Sequence, residues 1–187
     1  MSKVLPVLAL SGLALCSFAC SDDSTTPAAS AAPGAALKCT SGKDAFDTYG
    51  TAAFVAVNEA IVANVFTELG ANNTANLGDS FTKIGSGVPP STTDPAATFK
   101  GKLAAFLVYA YGGPTSITYT DGVSYSGLQD MASAHAGLAI TDSQFQYFVS
   151  NIVVPALTSS GVTTADVTAC FAPVLLSPTF QASIVGK

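Results

Sequence analysis

The sequence predicts an all-helical domain, and three observations carry this prediction. Apolar residues recur at helical spacing in several long segments. Glycine or glycine and proline follow these segments, at Gly70 and at residues 112–114, where they stop helices. The strand pattern is restricted to one short hairpin across Asp121-Gly122. Residues 37–187 are numerous enough for a single domain with a sizeable core.

The first predicted helices occupy residues 44–50 and 51–69. Phe54, Val57 and Ile61 begin an apolar stripe that continues to Leu69. Residues 71–95 are rich in Asn, Gly, Ser, Thr and Pro, and they predict a long loop of a kind that is unusual in a compact domain.

The next helix is predicted over residues 96–111. A loop with the short hairpin follows, and residues 128–138 predict a helical turn or two that carries His135. Another helix begins at Thr141, since Thr141 and Gln144 have the spacing of a capping box.

Prolines interrupt the helices that are predicted in the second half of the domain. Pro155 predicts a kink in the helix that begins at Thr141. The last helix is predicted to start at Thr163 or Thr164, and Pro173 and Pro178 are expected to break it.

The N-terminus has the pattern of an export signal. Lys3 precedes an apolar run that is too short for a stable membrane-spanning helix, which needs ~20 residues. Cys20 follows Ala19 and precedes a polar stretch of small residues, which resembles a bacterial lipoprotein; Cys16 is the competing site, and plain secretion is the alternative. The predicted organisation is a signal peptide (1–19), a lipidated Cys20 with a flexible tether (20–36), and the domain (37–187).

A lipidated Cys20 would hold the domain on a membrane of the cell envelope, facing the periplasm or the cell surface. More than one acyl chain on Cys20 would make this anchoring to the bilayer stable. Two cysteines remain in the domain, Cys39 and Cys170, and an exported setting permits a disulfide between them. Two buried thiols are the other interpretation.

The charge balance excludes nucleic acid as a partner. The chain has seven basic residues, twelve acidic residues and a formal net charge of −5. Binding to phosphates needs clustered cations, and only Lys100 and Lys102 lie close together in the sequence.

His135 is the single histidine of the chain. A zinc or copper site made by protein ligands alone therefore lacks donors, whereas a haem iron needs only one axial imidazole. A packed or solvated histidine is the alternative. A hydrolase is not indicated, because Ser133 and two nearby aspartates lack a nucleophile elbow.

Four passages of the sequence, one of which contains His135, follow one another in a characteristic order. The passages are residues 49–54, residues 102–107 with 112–114, residues 125–127 with 131–135, and residues 137–145. This order resembles the group I truncated haemoglobins, across nearly all of residues 44–187. The resemblance implies a two-over-two helical sandwich, the truncated globin fold.

The resemblance also implies a site for haem b. His135 would be the proximal ligand of the iron, Phe81 would pack on the porphyrin ring, and Lys102 would reach a propionate. The alternatives are a core role for Phe81 and a solvated position for Lys102.

The distal positions depart from the family pattern. Val62 stands where relatives place a tyrosine, and Phe99 and Leu103 replace the polar residues of the next helix. The distal pocket is therefore expected to be apolar. Loss of a hydrogen bond of about 1 kcal/mol would weaken oxygen retention more than carbon monoxide binding.

Two functions remain in view at this point. The first is an exported haem protein that binds the diatomic gases O2, NO or CO and acts in gas binding or electron transfer rather than as an enzyme; the sequence identifies no redox partner. The second is a haem-free globin-fold domain that serves as an interaction module or binds an apolar ligand between Val62, Phe99 and Leu103.

Overall fold

The computed structural model describes residues 32–83 and 96–187. The predicted signal peptide, Cys20 and most of the tether lie outside the described residues. Within the described part the chain is mostly helical, as predicted, and a two-stranded hairpin is the exception.

Helix α1 (Ala45–Asn72) contains the two helices predicted before the long loop. Gly50 has φ 73° and divides it into a short segment and a long one. This backbone conformation favours glycine, so the predicted boundary at Gly50 is confirmed as a kink. The long segment ends at Asn72, three residues later than predicted, and the N–H of the capping residue Asn73 donates to the Leu69 carbonyl. A single turn of 3₁₀ helix follows at Phe81–Lys83.

Helix α2 (Ala96–Ala110) matches its predicted bounds to within one residue. The hairpin comprises β1 (Ser116–Thr118) and β2 (Ser124–Ser126), which pair antiparallel with Ile117 opposite Tyr125. Tyr125 packs directly over Gly101 of α2, where a β-carbon would lie 2.2 Å from the tyrosine ring. The missing side chain at residue 101 therefore seats the hairpin on α2.

The second half of the domain holds α3 (Met131–His135), α4 (Asp142–Tyr147), α5 (Val154–Ser159), α6 (Thr164–Asp166), α7 (Ala172–Leu175) and α8 (Pro178–Ala182). The predicted capping box at Thr141 and Gln144 is present at the start of α4. Thr163 caps α6 by accepting from the N–H of Asp166.

Two π-helical turns carry the chain past its internal prolines. Phe148–Val153 joins α4 to α5, and Val167–Phe171 joins α6 to α7. Each turn ends two residues before a proline, Pro155 or Pro173. A wide turn shifts the hydrogen-bond register, which accommodates a residue that has no N–H to donate. Pro173 therefore lies inside the last long helix and does not break it, whereas Pro178 begins the separate α8.

An aromatic cluster forms the centre of the core. Phe54 of α1, Tyr111 after α2 and Phe171 of the second π turn lie with ring centroids 4.8–5.9 Å apart, and all three are at most 2% exposed. The Tyr111 hydroxyl donates to the Phe171 carbonyl over 3.0 Å. This contact joins the first half of the domain to the last long helix.

The packed part of the chain begins before Leu37, the predicted start of the domain. Gly34 is buried, and its N–H donates to the Ala110 carbonyl over 2.7 Å. A β-carbon on Gly34 would lie 2.8 Å from that carbonyl oxygen. The last residues assigned to the tether therefore pack on the C-terminal end of α2.

By length and composition alone, α1 could cross a membrane, with a mean hydropathy of 1.4. Core helices of other proteins satisfy the same criterion. Buried residues recur along α1, including Phe54, Ile61 and Val65, and α1 packs on α2 and α5. Within the described residues α1 is thus a core helix.

Candidate functional site

His135 is the last residue of α3, a short helix that has no fully buried residue. The Asp130 carboxylate caps this helix by accepting from the N–H of Ala132, and α3 makes few contacts with other helices or with the hairpin. The position of the imidazole is therefore set mainly by α3 itself and by its flanking loops.

The imidazole of His135 is half-buried, and one ring nitrogen is held in place. Nδ1 lies 2.8 Å from the Met131 carbonyl oxygen one turn earlier. Because a carbonyl only accepts hydrogen bonds, Nδ1 carries the proton and Nε2 has the free lone pair of the neutral ring. Burial lowers the pKa of His135, against the opposing effect of the Met131 carbonyl, so the ring is neutral at pH 7.

A small apolar cavity lies between α1, α2 and the 3₁₀ turn. Its volume is about 20 Å³, and a single water molecule needs about 10–15 Å³ in the same measure. The cavity brings together Val62, Phe81 and Phe99, three residues that the sequence assigned to the cofactor site. The remaining lining residues are Ile61, Val65, Phe66 and Lys100. Lys100 brings no free charge into it, because its Nζ lies 2.8 Å from Glu59 Oε2.

The other predicted site residues lie outside this cavity. Leu103 and Lys102 are half-buried on α2, one turn beyond Phe99. His135 is not among the residues that line the cavity. The structure therefore assembles part of the predicted distal pocket and leaves the proximal residue on a separate element.

Aromatic rings connect α2 with residues 145–148 at two places, and we call this ring-filled interface the slot. On one side, Phe99 and Phe106 belong to a half-buried row of α2 that includes Leu103; on the other side stand Phe145 and Phe148. Phe81 stacks on Phe148 at 5.6 Å and meets the edge of Phe99 at 6.4 Å.

At the other end of the slot, Phe180 of α8 stacks on Phe106 with the rings 6.0 Å apart and only 8° from parallel. Phe180 also lies 6.3 Å from Phe145. Phe180 was not among the residues that the sequence assigned to the site. A lone aromatic side chain among the polar and small residues of 177–183 was the signal available.

The C-terminal segment also contacts the chain that follows His135. The Ala139 N–H donates to the Lys187 carbonyl over 2.7 Å, and the Gly186 N–H donates to the Ile140 carbonyl over 2.9 Å. The segment that carries Phe180 is therefore tied both to the slot and to the loop after α3.

Cys39 and Cys170 form a disulfide, with an S–S distance of 2.02 Å. The sequence had left this bond and a pair of buried thiols as alternatives. Together with Asp166 the two sulfurs form a buried group whose ligand-type atoms lie within 4.8 Å of one another. Metal binding by cysteine uses the thiolate, so the bonded pair offers no such donor.

Asp166 is the buried acid of this group and is only 4% exposed. Its Oδ1 accepts from the Thr40 N–H and hydroxyl, both over 2.7 Å, and its Oδ2 accepts from the Tyr49 hydroxyl over 2.5 Å. These hydrogen bonds, with Tyr49 the largest contributor, lower the pKa of Asp166 to about 2. The arrangement joins the N-terminal segment, α1 and α6, and it is structural.

The described residues form a mostly helical fold, and the globin sandwich stays a prediction. Cys20, the proposed lipidation site, lies outside the described residues. Comparisons with protein-family models, with curated proteins and with solved structures found no match to this chain.

Proposed function

We propose that this protein is an exported, lipid-anchored haem protein of the truncated globin type, in which His135 ligates the iron and the distal side is apolar. The observation that carries the proposal is the hydrogen bond between His135 Nδ1 and the Met131 carbonyl. This hydrogen bond fixes the tautomer in which Nε2 has a free lone pair to give to a metal ion. Such an arrangement is typical of metal-binding histidines.

The donor chemistry of α3 fits a haem iron. Burial keeps the imidazole neutral, which a metal ligand requires. The half-buried Leu103 and Phe106 of α2 offer apolar surface of the kind that a porphyrin face needs, and Lys102 would pair with a propionate. When bound, the haem supplies an iron with an open coordination position for a diatomic gas.

The slot must open for a porphyrin to enter. Phe180 stacks face to face on Phe106, and Phe81 stacks on Phe148, so flat rings of this chain already occupy both ends. A bound porphyrin would have to displace at least one of these rings. Phe180 is the better candidate, because it belongs to a short terminal helix, whereas Phe81 also lines the cavity.

The apolar cavity supports the second half of the proposal. Val62 and Phe99 line it, and the Lys100 ammonium is paired with Glu59. A gas molecule there would meet no side-chain donor from the described lining residues. We therefore expect oxygen to be held weakly relative to carbon monoxide, since a hydrogen bond to a polarised ligand contributes about 1 kcal/mol.

The test is a haemin titration of the full chain, followed by its visible spectrum. We expect a stoichiometric Soret band in the wild type that His135→Ala removes and that added imidazole restores, because imidazole can replace the missing side chain. Ser133→Ala, on the exposed face of the same short helix, is the matched control and should bind haemin as the wild type does.

A second function is favoured by the closed slot itself. If the rings of Phe81 and Phe180 are permanent occupants, the domain binds no haem, and the cavity beside Val62 takes a small apolar molecule instead. A wild type that forms no stoichiometric Soret band, or a band that His135→Ala leaves unchanged, supports this alternative and rejects the haem proposal.

The lipid anchor has its own test. In cells that process lipoproteins, Cys20→Ser should move the protein from the membrane fraction to the soluble exported fraction. Cys16→Ser is the matched control and should leave the protein on the membrane. If the wild type is already in the soluble exported fraction, plain secretion is correct and Cys20 carries no lipid.

A further inference from the structure

Tyr119, directly after β1, is a buried phenol held between an amide and a carboxylate. It is only 6% exposed. Its hydroxyl donates to Glu59 Oε1, and its oxygen accepts from Asn58 Nδ2 over 3.1 Å. Asn58 and Glu59 are neighbours on α1, so one turn of that helix supplies both partners. Tyr119 and Asn58 take no part in the function proposed above, and Glu59 enters it only as the partner of Lys100.

Glu59 is ionised and therefore able to accept a proton. Burial opposes its charge, but the hydrogen bonds from Lys100 and Tyr119 outweigh this effect and lower the pKa of Glu59. The Lys100 ammonium lies 2.8 Å from the second carboxylate oxygen. The Tyr119 phenol is thus in hydrogen-bond contact with a charged base, the partly exposed carboxylate of Glu59.

The network is maintained against an energetic penalty. Asn58 is fully buried, and its Nδ2 is used twice, for Tyr119 and for the Lys100 carbonyl. Its Oδ1 is buried without a hydrogen-bond partner among the described residues. An unpaired buried acceptor destabilises the fold by about 1–3 kcal/mol. The contribution of the Asn58 amide therefore comes from the two hydrogen bonds that its Nδ2 donates.

Two other tyrosines in the core region, Tyr111 and Tyr49, show what distinguishes Tyr119. Tyr111 is equally buried, but it donates to the Phe171 carbonyl, which is not a base that takes up protons near neutral pH. Tyr49 also donates to a carboxylate, that of Asp166, but Tyr49 is only half-buried. Tyr119 alone among these three combines burial with an effective proton acceptor.

A second phenol connects Tyr119 to the surface. The ring of Tyr125 in β2 lies 6.3 Å from that of Tyr119, in an edge-to-face arrangement of 83°. Tyr125 is half-buried over Gly101, and its hydroxyl donates to the exposed Asp121 carboxylate over 2.7 Å. An electron can pass between adjacent rings, and each ring has its own carboxylate to accept a proton.

We propose that Tyr119 is a redox-active residue and that the Tyr119–Tyr125 pair relays single electrons between the protein interior and an outer-sphere one-electron oxidant at the hairpin surface. In the oxidation step Tyr119 loses one electron, through Tyr125, to the oxidant, which is reduced by one electron. The phenolic O–H bond breaks and its proton forms a new O–H bond on Glu59 Oε1. The products are a neutral Tyr119 phenoxyl radical and a protonated Glu59.

Two features of the site stabilise these products. Asn58 Nδ2 continues to donate to the phenoxyl oxygen, and the protonated Glu59 now donates to it as well. A one-electron donor reverses the step by returning the electron, while the proton returns from Glu59 to Tyr119. The relay needs no haem, so its test is separate from that of the proposed function.

The experiment uses flash-generated ruthenium(III) tris-bipyridine as the oxidant on the full chain, with electron paramagnetic resonance and transient absorption as readouts. We expect the wild type to form a tyrosyl radical that outlives the oxidant. Tyr119→Phe should remove this long-lived signal and leave only short-lived surface radicals. Tyr111→Phe, a buried tyrosine without a base, is the matched control and should leave the signal unchanged.

Two further measurements keep the proposal falsifiable if Tyr119→Phe does not fold. Glu59→Gln retains the phenol and removes the base, so the long-lived radical should be lost although the circular dichroism stays that of the wild type. In the wild type, radical formation should be slower in deuterated water, because a proton moves with the electron. A long-lived signal that survives either Tyr119→Phe or Glu59→Gln, or that forms without an isotope effect, overturns the proposal.

Discussion

The disulfide cluster and helix α3 differ in almost every property that determines stability. The disulfide cluster comprises Cys39, Thr40, Tyr49, Asp166 and Cys170, and it combines a covalent bond with three hydrogen bonds to one buried carboxylate. Helix α3 has five residues, none of them fully buried, and few contacts with the other elements. The residues that hold the fold together are thus separate from the residue proposed to do its chemistry.

This separation has a practical consequence for experiments. Changes in the disulfide cluster should alter the free energy of unfolding strongly and ligand chemistry little, and changes in α3 should do the reverse. We therefore expect the loss of the disulfide to change stability most and the loss of the His135 side chain to change it least.

Removal of the disulfide should have the largest effect. The bond closes a loop with a sequence separation of 131. Loop-closure entropy for loops above 100 residues predicts a loss of about 5 kcal/mol in the free energy of unfolding for Cys39→Ala with Cys170→Ala. Urea denaturation measures this, and a reducing agent should weaken the wild type similarly but not the double variant. A loss below about 1 kcal/mol would contradict the assigned role of the bond.

Acid should weaken the disulfide cluster through Asp166. The pKa of Asp166 is about 2 in the folded chain and 3.8 without its partners. A lowered carboxyl pKa stabilises the fold fully above about pH 4, and this contribution disappears as the pH falls toward about 2. Asp166→Asn should be less stable by about 2 kcal/mol near neutral pH, because it loses hydrogen bonds to a charged group.

Denaturation curves at several pH values test the Asp166 assignment. Below about pH 4 the difference between Asp166→Asn and the wild type should shrink. Tyr49→Phe removes one of the hydrogen bonds to the carboxylate and should show an intermediate pH dependence. Parallel curves for wild type and Asp166→Asn between about pH 5 and about pH 2 would be incompatible with the assignment.

Phe180 lies between the two extremes. Phe180→Ala removes a half-buried ring that stacks on Phe106, and we expect a loss of about 2 kcal/mol, less than the ~3–5 of a fully buried phenylalanine. Because the ring closes one end of the slot, the same variant should take up haemin faster than the wild type in stopped-flow absorbance. Leu176→Ala, at a side chain that is 48% exposed, is the control and should change neither quantity. Slower haemin uptake by Phe180→Ala would show that Phe180 supports the site rather than closes it.

His135→Ala should have the smallest effect on stability. We expect a change of about 1 kcal/mol or less near pH 8, because α3 contributes little to the core. Burial lowers the pKa of His135 in the folded chain, so below about pH 6.5 the unfolded chain binds a proton that the folded chain resists. Wild-type stability should therefore fall as the pH drops from about 7 to about 5, and this part of the pH dependence should be absent in His135→Ala. A large loss of stability at high pH would mean that α3 is a structural element after all.

The sequence predicted correctly those elements that depend on residues close together in the chain. The kink at Gly50, the capping box at Thr141 and the short helix at His135 all depend on residues a few positions apart, and each was found where it was expected. The hairpin is a partial exception. Its turn contains Asp121-Gly122 as expected, but Thr118 pairs with Ser124, whereas a two-residue turn would pair Thr118 with Tyr125. The predicted register is therefore wrong by one residue.

The contacts that escaped prediction join distant parts of the chain. Tyr49 and Asp166 are separated by 117 residues, and Tyr119 and Glu59 by 60. No periodicity in a single sequence encodes such a pair. The same limit applies to Phe180, whose stacking partner Phe106 lies on another helix. The π turns before Pro155 and Pro173 were missed for a different reason, since a proline pattern alone does not separate a broken helix from a widened one.

The disulfide also determines what a protease could release from this domain. Cys39 precedes α1 and Cys170 lies in the last long helix, so most of the described chain lies inside one covalent ring. Cutting a single peptide bond anywhere between these cysteines opens the ring but frees no fragment. The nicked protein would remain one covalent molecule under oxidising conditions and would come apart into two chains only on reduction and unfolding.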